Sequence, residues 1–276
     1  MDLSRVRALL LACHPGPCLA ITVMASLLAA QAAPHGTGPV LVAPAILAGQ
    51  LSIGWSNDAI DADRDVAAHR TDKPIATGQV SRRTVWIAAL VALAAAVAMS
   101  LAISPATLAA NAVIIGAAWA YNAGLKATLW SGLMYMAGAG SIPAFATTWL
   151  PGHPLPRWWV TVAAAALGLG AHFANVLPDL AGDRLAGVRG LPQRIAASWG
   201  SASVRAVAIT LLLFASVAVL VAARPARQWV AVIGLAVSCL LAVASARGKG
   251  RVPFQAAIGI ALVNVLLFVA GVDALT

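Results

Sequence analysis

The sequence has no glutamate, and charged side chains of any kind make up only 10% of its 276 residues. A soluble domain needs polar faces at a helical or strand period. A chain that is 61% hydrophobic with a mean hydropathy of +0.87 shows long apolar runs instead. Cysteine is scarce as well: Cys13, Cys18 and Cys239 have neither metal-binding nor redox spacing. They read as small apolar residues, and a reducing cytoplasm argues against a Cys13–Cys18 bridge. There is no Walker-type glycine loop, which removes that route to phosphate binding. These absences leave a chain whose solvent is the bilayer.

What the sequence does have is apolar length. Against a span of roughly 20 residues, the runs predict nine transmembrane helices near 17–33, 39–56, 84–103, 105–121, 128–149, 158–176, 204–223, 227–246 and 253–272. The expected fold is an all-α bundle forming a single integral membrane domain over residues 1–276. Lysine and arginine divide fifteen to three between the two sets of connecting segments. By the positive-inside bias this predicts a cytoplasmic N-terminus, an external C-terminus and residence in the cytoplasmic (inner or plasma) membrane. The net charge of +9 is then mainly a topology signal, with attraction to anionic lipid or substrate second, and it implies no nucleic-acid partner. Arg5, Arg7, the first apolar run and "AAQAAP" also fit a cleavable signal peptide, whose removal would leave the remaining topology unchanged.

The nine acids are all aspartates, and seven of them lie in two predicted inner segments: Asp58, Asp61, Asp63, Asp65 and Asp72 in the first, Asp179 and Asp183 in the second. The two segments follow the second and sixth spans, which suggests an old duplication with one acidic cluster per half. Asp58, Asp61 and Asp65 are spaced i, i+3, i+7 and share one helical face with Asn57 at its edge, while Asp63 points elsewhere. Asn175, Asp179 and Asp183 are spaced by four and predict a second stripe, with His172 three residues before it. Stacked like charges weaken a helix, so the alignment calls for a cation. Oxygen-only donors favour magnesium, which usually binds through one or two carboxylates plus substrate phosphates. Arg70, Lys73, Lys126, Arg184 and Arg189 lie nearby in sequence and suit phosphate oxygens. A diphosphate on a greasy tail would explain both the charged segments and the apolar spans.

These residues resemble the UbiA superfamily of intramembrane prenyltransferases. "NDAIDADRD" looks like its first motif, NDxxDxxxD, with Asn57, Asp58, Asp61 and Asp65 in the motif positions. "RTDKPIATGQVS" resembles the basic tail that follows it, "YNAGLK" the inner Tyr-x-x-x-Leu-Lys element, and "DLAGDRLAGVRGLP" the second aspartate motif. The resemblance implies a UbiA-type bundle and Mg2+-dependent transfer of a prenyl group from a prenyl diphosphate to a hydrophobic or aromatic acceptor. It implies Asp58, Asp61, Asp65, Asp179 and Asp183 as metal ligands, directly or through water. Asn57 would orient diphosphate or metal, Arg70, Lys73 and Lys126 would stabilise the leaving group, and Tyr121 would position the prenyl end. Two features depart from the pattern. His14 stands where members using aromatic acids tend to have an arginine, which weakens the case for an acidic acceptor, and Gly187 stands where a third aspartate of the second motif would fall.

His172 reads either as a base that removes a proton after alkylation or as a hydrogen-bonded structural histidine. His14 reads either as an acceptor contact or as an interfacial residue. Trp55, Trp119 and Trp130 near the inner ends could shield a carbocation, or belong to the aromatic belt or packing. The functional alternatives are a UbiA-type terpene cyclase, which ionises the diphosphate with no acceptor, and an ion-coupled transporter with two related halves.

Overall fold

Each apolar run folds as a helix, as a backbone in lipid must when its polar groups have to pair within the segment. The computed structural model describes residues 3–33, 36–185, 187–225, 227–271 and 275; Asp2 and Asp273 lie outside them. In chain order the helices are α1 (Leu3–Ala12), α2 (Pro15–Ala32), α3 (Gly38–Ala67), α4 (Arg82–Ile103), α5 (Pro105–Asn122), α6 (Ser131–Thr147), α7 (Trp158–Val176), α8 (Leu180–Leu185), α9 (Leu191–Trp199), α10 (Ser201–Ala223), α11 (Gln228–Arg247) and α12 (Val252–Val269). A 3-10 turn, Leu125–Ala127, joins α5 to α6.

The predicted spans correspond to α2 to α7 and α10 to α12. Among the described residues seven helices are long and apolar enough to cross a membrane: α2, α3, α4, α7, α10, α11 and α12. The other two of the nine expected spans fall outside that group. α6 has 17 residues, and the polar Asn111, Tyr121 and Asn122 dilute the 18 residues of α5.

Local chemistry sets the ends. Ser81 and Ser104 cap α4 and α5 by accepting the N–H groups of Thr84 and Thr107. α3 continues well past the expected end near residue 56, because nothing in "NDAIDADRDVA" breaks a helix. Its 30 residues measure about 45 Å, more than the roughly 30 Å hydrocarbon layer, so the last turns carry the aspartates beyond the apolar zone. The second stripe is different. α7 stops at Val176 and α8 begins at Leu180, because Pro178 has no N–H for the helical ladder. Asn175, Asp179 and Asp183 therefore do not share one continuous helix.

The main core lies toward the end of the bundle away from the aspartates, around Val42, Ile46, Phe145, Leu267 and Phe268. A second cluster packs Phe173 with Leu212 and Ile260. Two glycines bring elements unusually close at the acidic end. A Cβ at Gly54 would lie 2.0 Å from the Cys13 carbonyl oxygen, so glycine there lets the α1–α2 link rest on α3. A Cβ at Gly168 would lie 2.6 Å from the Tyr135 carbonyl oxygen, so glycine there lets the backbones of α6 and α7 come close together.

Candidate active site

The first cluster is built on the buried face of α3. Asp58, Asp61 and Asp65 are 2%, 7% and 4% exposed, whereas Asp63 points out and pairs with Arg82 at 3.0 Å. Aligned carboxylates this deep need cations beside them, and the fold brings three. Lys73, itself buried, donates from Nζ to Asp58 Oδ1 at 2.6 Å and stands 4.0 Å from Asp65 Oδ2. Lys126, in the 3-10 turn, donates to Asp61 Oδ1, and Arg64 donates to Asp61 Oδ2 at 3.0 Å. Burial pushes the Lys126 ammonium below the ordinary lysine range, against the attraction of Asp61. Asn57 donates to Asn122 Oδ1 at 3.1 Å and to Asp61 Oδ2 at 3.3 Å. Asn122 in turn donates to the Ile53 carbonyl and to Ser56 Oγ, both at 3.2 Å. These bonds fasten the end of α5 to α3 and so place Lys126 over Asp61.

His14 joins this cluster from the α1–α2 link. Its backbone is left-handed, with φ 58°, and its Nε2 lies 3.0 Å from Asp58 Oδ1 and 3.1 Å from Lys73 Nζ. Asp58 Oδ2 remains buried with no hydrogen-bond partner.

The second cluster faces the first more loosely. Asp179 is exposed in the α7–α8 turn, and its Oδ1 is 4.0 Å from Arg70 Nη1. Asp183, on α8, accepts from Gln193 Nε2 at 2.8 Å. Burial pushes its carboxyl above the usual carboxylate range, against that hydrogen bond. Arg70 is held by a bidentate pair with Asp72 at 2.8 and 2.9 Å, which keeps the Asp72 carboxyl well below the usual range. Arg251, from the α11–α12 link, reaches the same Asp72 at 2.8 Å. Arg184 and Arg189 are exposed, and neither side chain is joined to the aspartates by a hydrogen bond or ion pair among the described residues. Nor, among those residues, do three acidic, histidine or cysteine side chains converge closely enough to hold a metal ion unaided. The arrangement suits an ion that takes part of its shell from a phosphate ligand.

One turn deeper lies an aromatic group: Tyr121, Tyr135 and His172. Tyr135 stacks on the His172 ring at 4.6 Å, and Tyr121 meets both edge-on at 5.1 and 5.6 Å. Asn175 donates to the Tyr135 hydroxyl at 3.2 Å. Tyr135, Arg64, Asn122, Ser131 and Gln193 have no place in the motifs. Arg64 is signalled only by its i+3 spacing from Asp61, and Tyr135 only by being one of two tyrosines in the chain. The three tryptophans near the acidic end face other neighbours. Trp55 donates to the Leu9 carbonyl, Trp119 donates to Ser52 and lies against Trp86, and Trp130 is exposed.

The geometry can be set beside known proteins. A search of curated sequences finds no match. Among solved structures, that of digeranylgeranylglyceryl phosphate synthase in membranes is similar at a TM-score of 0.69 and 14% identity, covering 98% of this chain and 99% of that one. A UbiA homolog from Archaeoglobus fulgidus bound to DMAPP and Mg2+ is similar at 0.69 and 15%, covering 94% and 98%. The apo structure of a UbiA homolog from Aeropyrum pernix K1 is similar at 0.69 and 18%, covering 90% and 95%. At such identities these likenesses show a shared fold. The sequence itself matches the model of one family over residues 18–257, a stretch that holds both aspartate motifs and every cation paired with them: the chain belongs to the UbiA prenyltransferase family.

Proposed function

We propose that this protein is a magnesium-dependent prenyltransferase that passes a prenyl group from a prenyl diphosphate to an aromatic or otherwise lipophilic acceptor within the membrane. The observation that carries the reading is the row of three buried aspartates on α3, matched by a buried lysine, Lys73, and a half-buried one, Lys126, that arrive from separate segments. The UbiA homolog structures from Archaeoglobus fulgidus bound to DMAPP or GPP with Mg2+ support it. The residues fit magnesium on two grounds. The donors of both motifs are oxygens, and Asp58 Oδ2 is a buried acceptor still lacking a partner.

Asp58, Asp61, Asp65, Asp179 and Asp183 would hold the ions, directly or through water. Magnesium there supplies Lewis-acid charge for the departing diphosphate. Lys126 uses one of its three N–H donors on Asp61 and keeps two for diphosphate oxygens. Lys73 and Arg70 add fixed positive charge beside the two motifs, and Asn57 orients the head group. As the C–O bond breaks, negative charge grows where these preorganised donors stand, which is where electrostatic catalysis is strongest. Arg184 and Arg189 add positive charge at the outer rim of the second loop. Tyr121 positions the allylic end, with Asn175 holding Tyr135 beside it. We further propose one membrane domain of nine spans, with the N-terminus and the site on the cytoplasmic side, on the strength of the fifteen-to-three division of Lys and Arg.

The paired rings of Tyr121 and Tyr135 also favour a second reading, in which the cation closes on itself. Diphosphate release by the purified protein separates the two when measured with farnesyl or geranylgeranyl diphosphate, with and without aromatic acceptors. Release that needs magnesium and an acceptor, and disappears in Asp58→Ala, is the expected result. Release without acceptor, yielding a terpene hydrocarbon or alcohol, would make the protein a cyclase.

A further inference from the structure

Four side chains of alternating charge run across the acidic end of the bundle: Arg251, Asp72, Arg70 and Asp179. Arg70 donates from Nε and Nη2 to the two oxygens of Asp72 at 2.8 and 2.9 Å. Arg251, 179 residues further along the chain, donates from Nη2 to Asp72 Oδ2 at 2.8 Å. Both Asp72 oxygens are thereby taken by guanidinium groups, which sets this aspartate apart from those that would hold metal. Packing does not fix Arg70, because its side chain borders a cavity of about 280 Å³ shared with Val66, His69 and Thr77. The side-on pair with Asp72 fixes it. Isolated exposed ion pairs contribute little, but a bidentate pair tied into a network is the arrangement that holds its geometry. The pair uses neither N–H of Arg70 Nη1, and this nitrogen is turned toward Asp179 Oδ1 at 4.0 Å. That distance is too long for a hydrogen bond, so the Nη1 donors stand in the gap between the two aspartate motifs.

We infer that Asp72 is a positioning residue for the prenyl diphosphate: pinned by Arg251, it holds Arg70 with Nη1 facing the gap between the motifs, where diphosphate oxygens would lie. This rests on the donor half of the proposed function and does not depend on the acceptor. An anion at the mouth of a diphosphate site repels the ligand by charge alone. The benefit of Asp72 therefore comes through the direction it gives Arg70. Arg251 serves twice. It offsets the Asp72 charge, setting two guanidinium groups against one carboxylate, and it ties the α11–α12 link to the α3–α4 loop. The last helices of the chain thus act on donor binding through Asp72.

The test measures binding of inorganic pyrophosphate with magnesium to the full-length protein in detergent by calorimetry, at about 0.15 M salt, where longer-range charge effects are screened. Asp72→Asn is expected to weaken binding about fivefold, the upper end of what a half-exposed pair contributes, with the stoichiometry unchanged. Arg251→Gln is expected to weaken binding in the wild type and to do so less in the Asp72→Asn background. Tighter or unchanged binding by Asp72→Asn overturns the inference, because losing a carboxylate that does not position Arg70 removes only repulsion. A fall in stoichiometry with the affinity kept marks a loss of folded protein and overturns it as well. Equal effects of Arg251→Gln in both backgrounds would make Arg251 an independent charge and overturn its part. If the wild type binds no pyrophosphate at any magnesium concentration, the donor-site reading itself has failed, and the positioning role falls with it.

Discussion

Replacing Lys73 by methionine keeps the length of the side chain and removes its charge. Lys73 Nζ lies 2.6 Å from Asp58 and 4.0 Å from Asp65, carboxylates only 2% and 4% exposed. Their desolvation would then be uncompensated. Removing one partner of such a buried pair costs about 3–5 kcal/mol, a large part of a typical stability of about 5–15 kcal/mol. Asp58→Asn in the same background removes one of the stranded charges, so the double variant should lose at least ~1 kcal/mol less than the sum of the two single losses. Magnesium should also stabilise Lys73→Met more than the wild type, since a more negative cluster binds the ion more tightly; at a hundred times its Kd the ion adds about 2.7 kcal/mol. Denaturation midpoints in detergent, with and without magnesium, measure both effects. Strictly additive losses, or equal magnesium shifts in both proteins, would refute the charge-compensation argument.

Gly54→Ala should cost about 1–3 kcal/mol by overpacking, because its Cβ would meet the Cys13 backbone. It should also lower diphosphate release by moving His14 off Asp58, whereas Gly116→Ala, whose Cβ meets open space, should keep both stability and turnover. On the alkaline side, kcat/KM should fall at a pH below the ordinary lysine value of about 10.4, because burial makes Lys126 lose its proton early. On the acid side it should fall above the ordinary aspartate value of about 3.9, because Asp183 is protonated early. Activity is thus present above the Asp183 pKa and below that of Lys126. Lys126→Arg should move the alkaline limb upward, and a limb that stays in place would show that another group titrates there.

How much of this is legible in sequence depends on how local each feature is. The face shared by Asp58, Asp61 and Asp65 follows from spacing alone, because α3 is continuous through them. The same reasoning fails four helices later, where Pro178 interrupts the period between Asn175 and Asp179. α1 has ten residues, too few for a span, and it packs on α3 through Ala8 and Ala12 without a motif to announce it. The landing of Lys126 on Asp61, rather than on Asp58 or Asp65, depends on how Asn57 and Asn122 lock α5 against α3. The meeting of the His172 ring with a hydroxyl in α6 and an amide in α9 joins three segments, and no single one of them encodes it.

The distances along the chain between the aspartates and their cations also set an order of events during synthesis. Asp58 finds its lysine 15 residues on, in the loop directly after α3, and Asp61 gains Arg64 within the same helix. Its second cation, Lys126, comes 65 residues later. Until α5 has been made and inserted, the end of α3 carries more negative charge than it can bury and must stay wet. Arrival of the 3-10 turn dries it. The first half of the chain thus completes its own charge balance before α6 to α12 exist, and the second aspartate motif is delivered to a surface already formed.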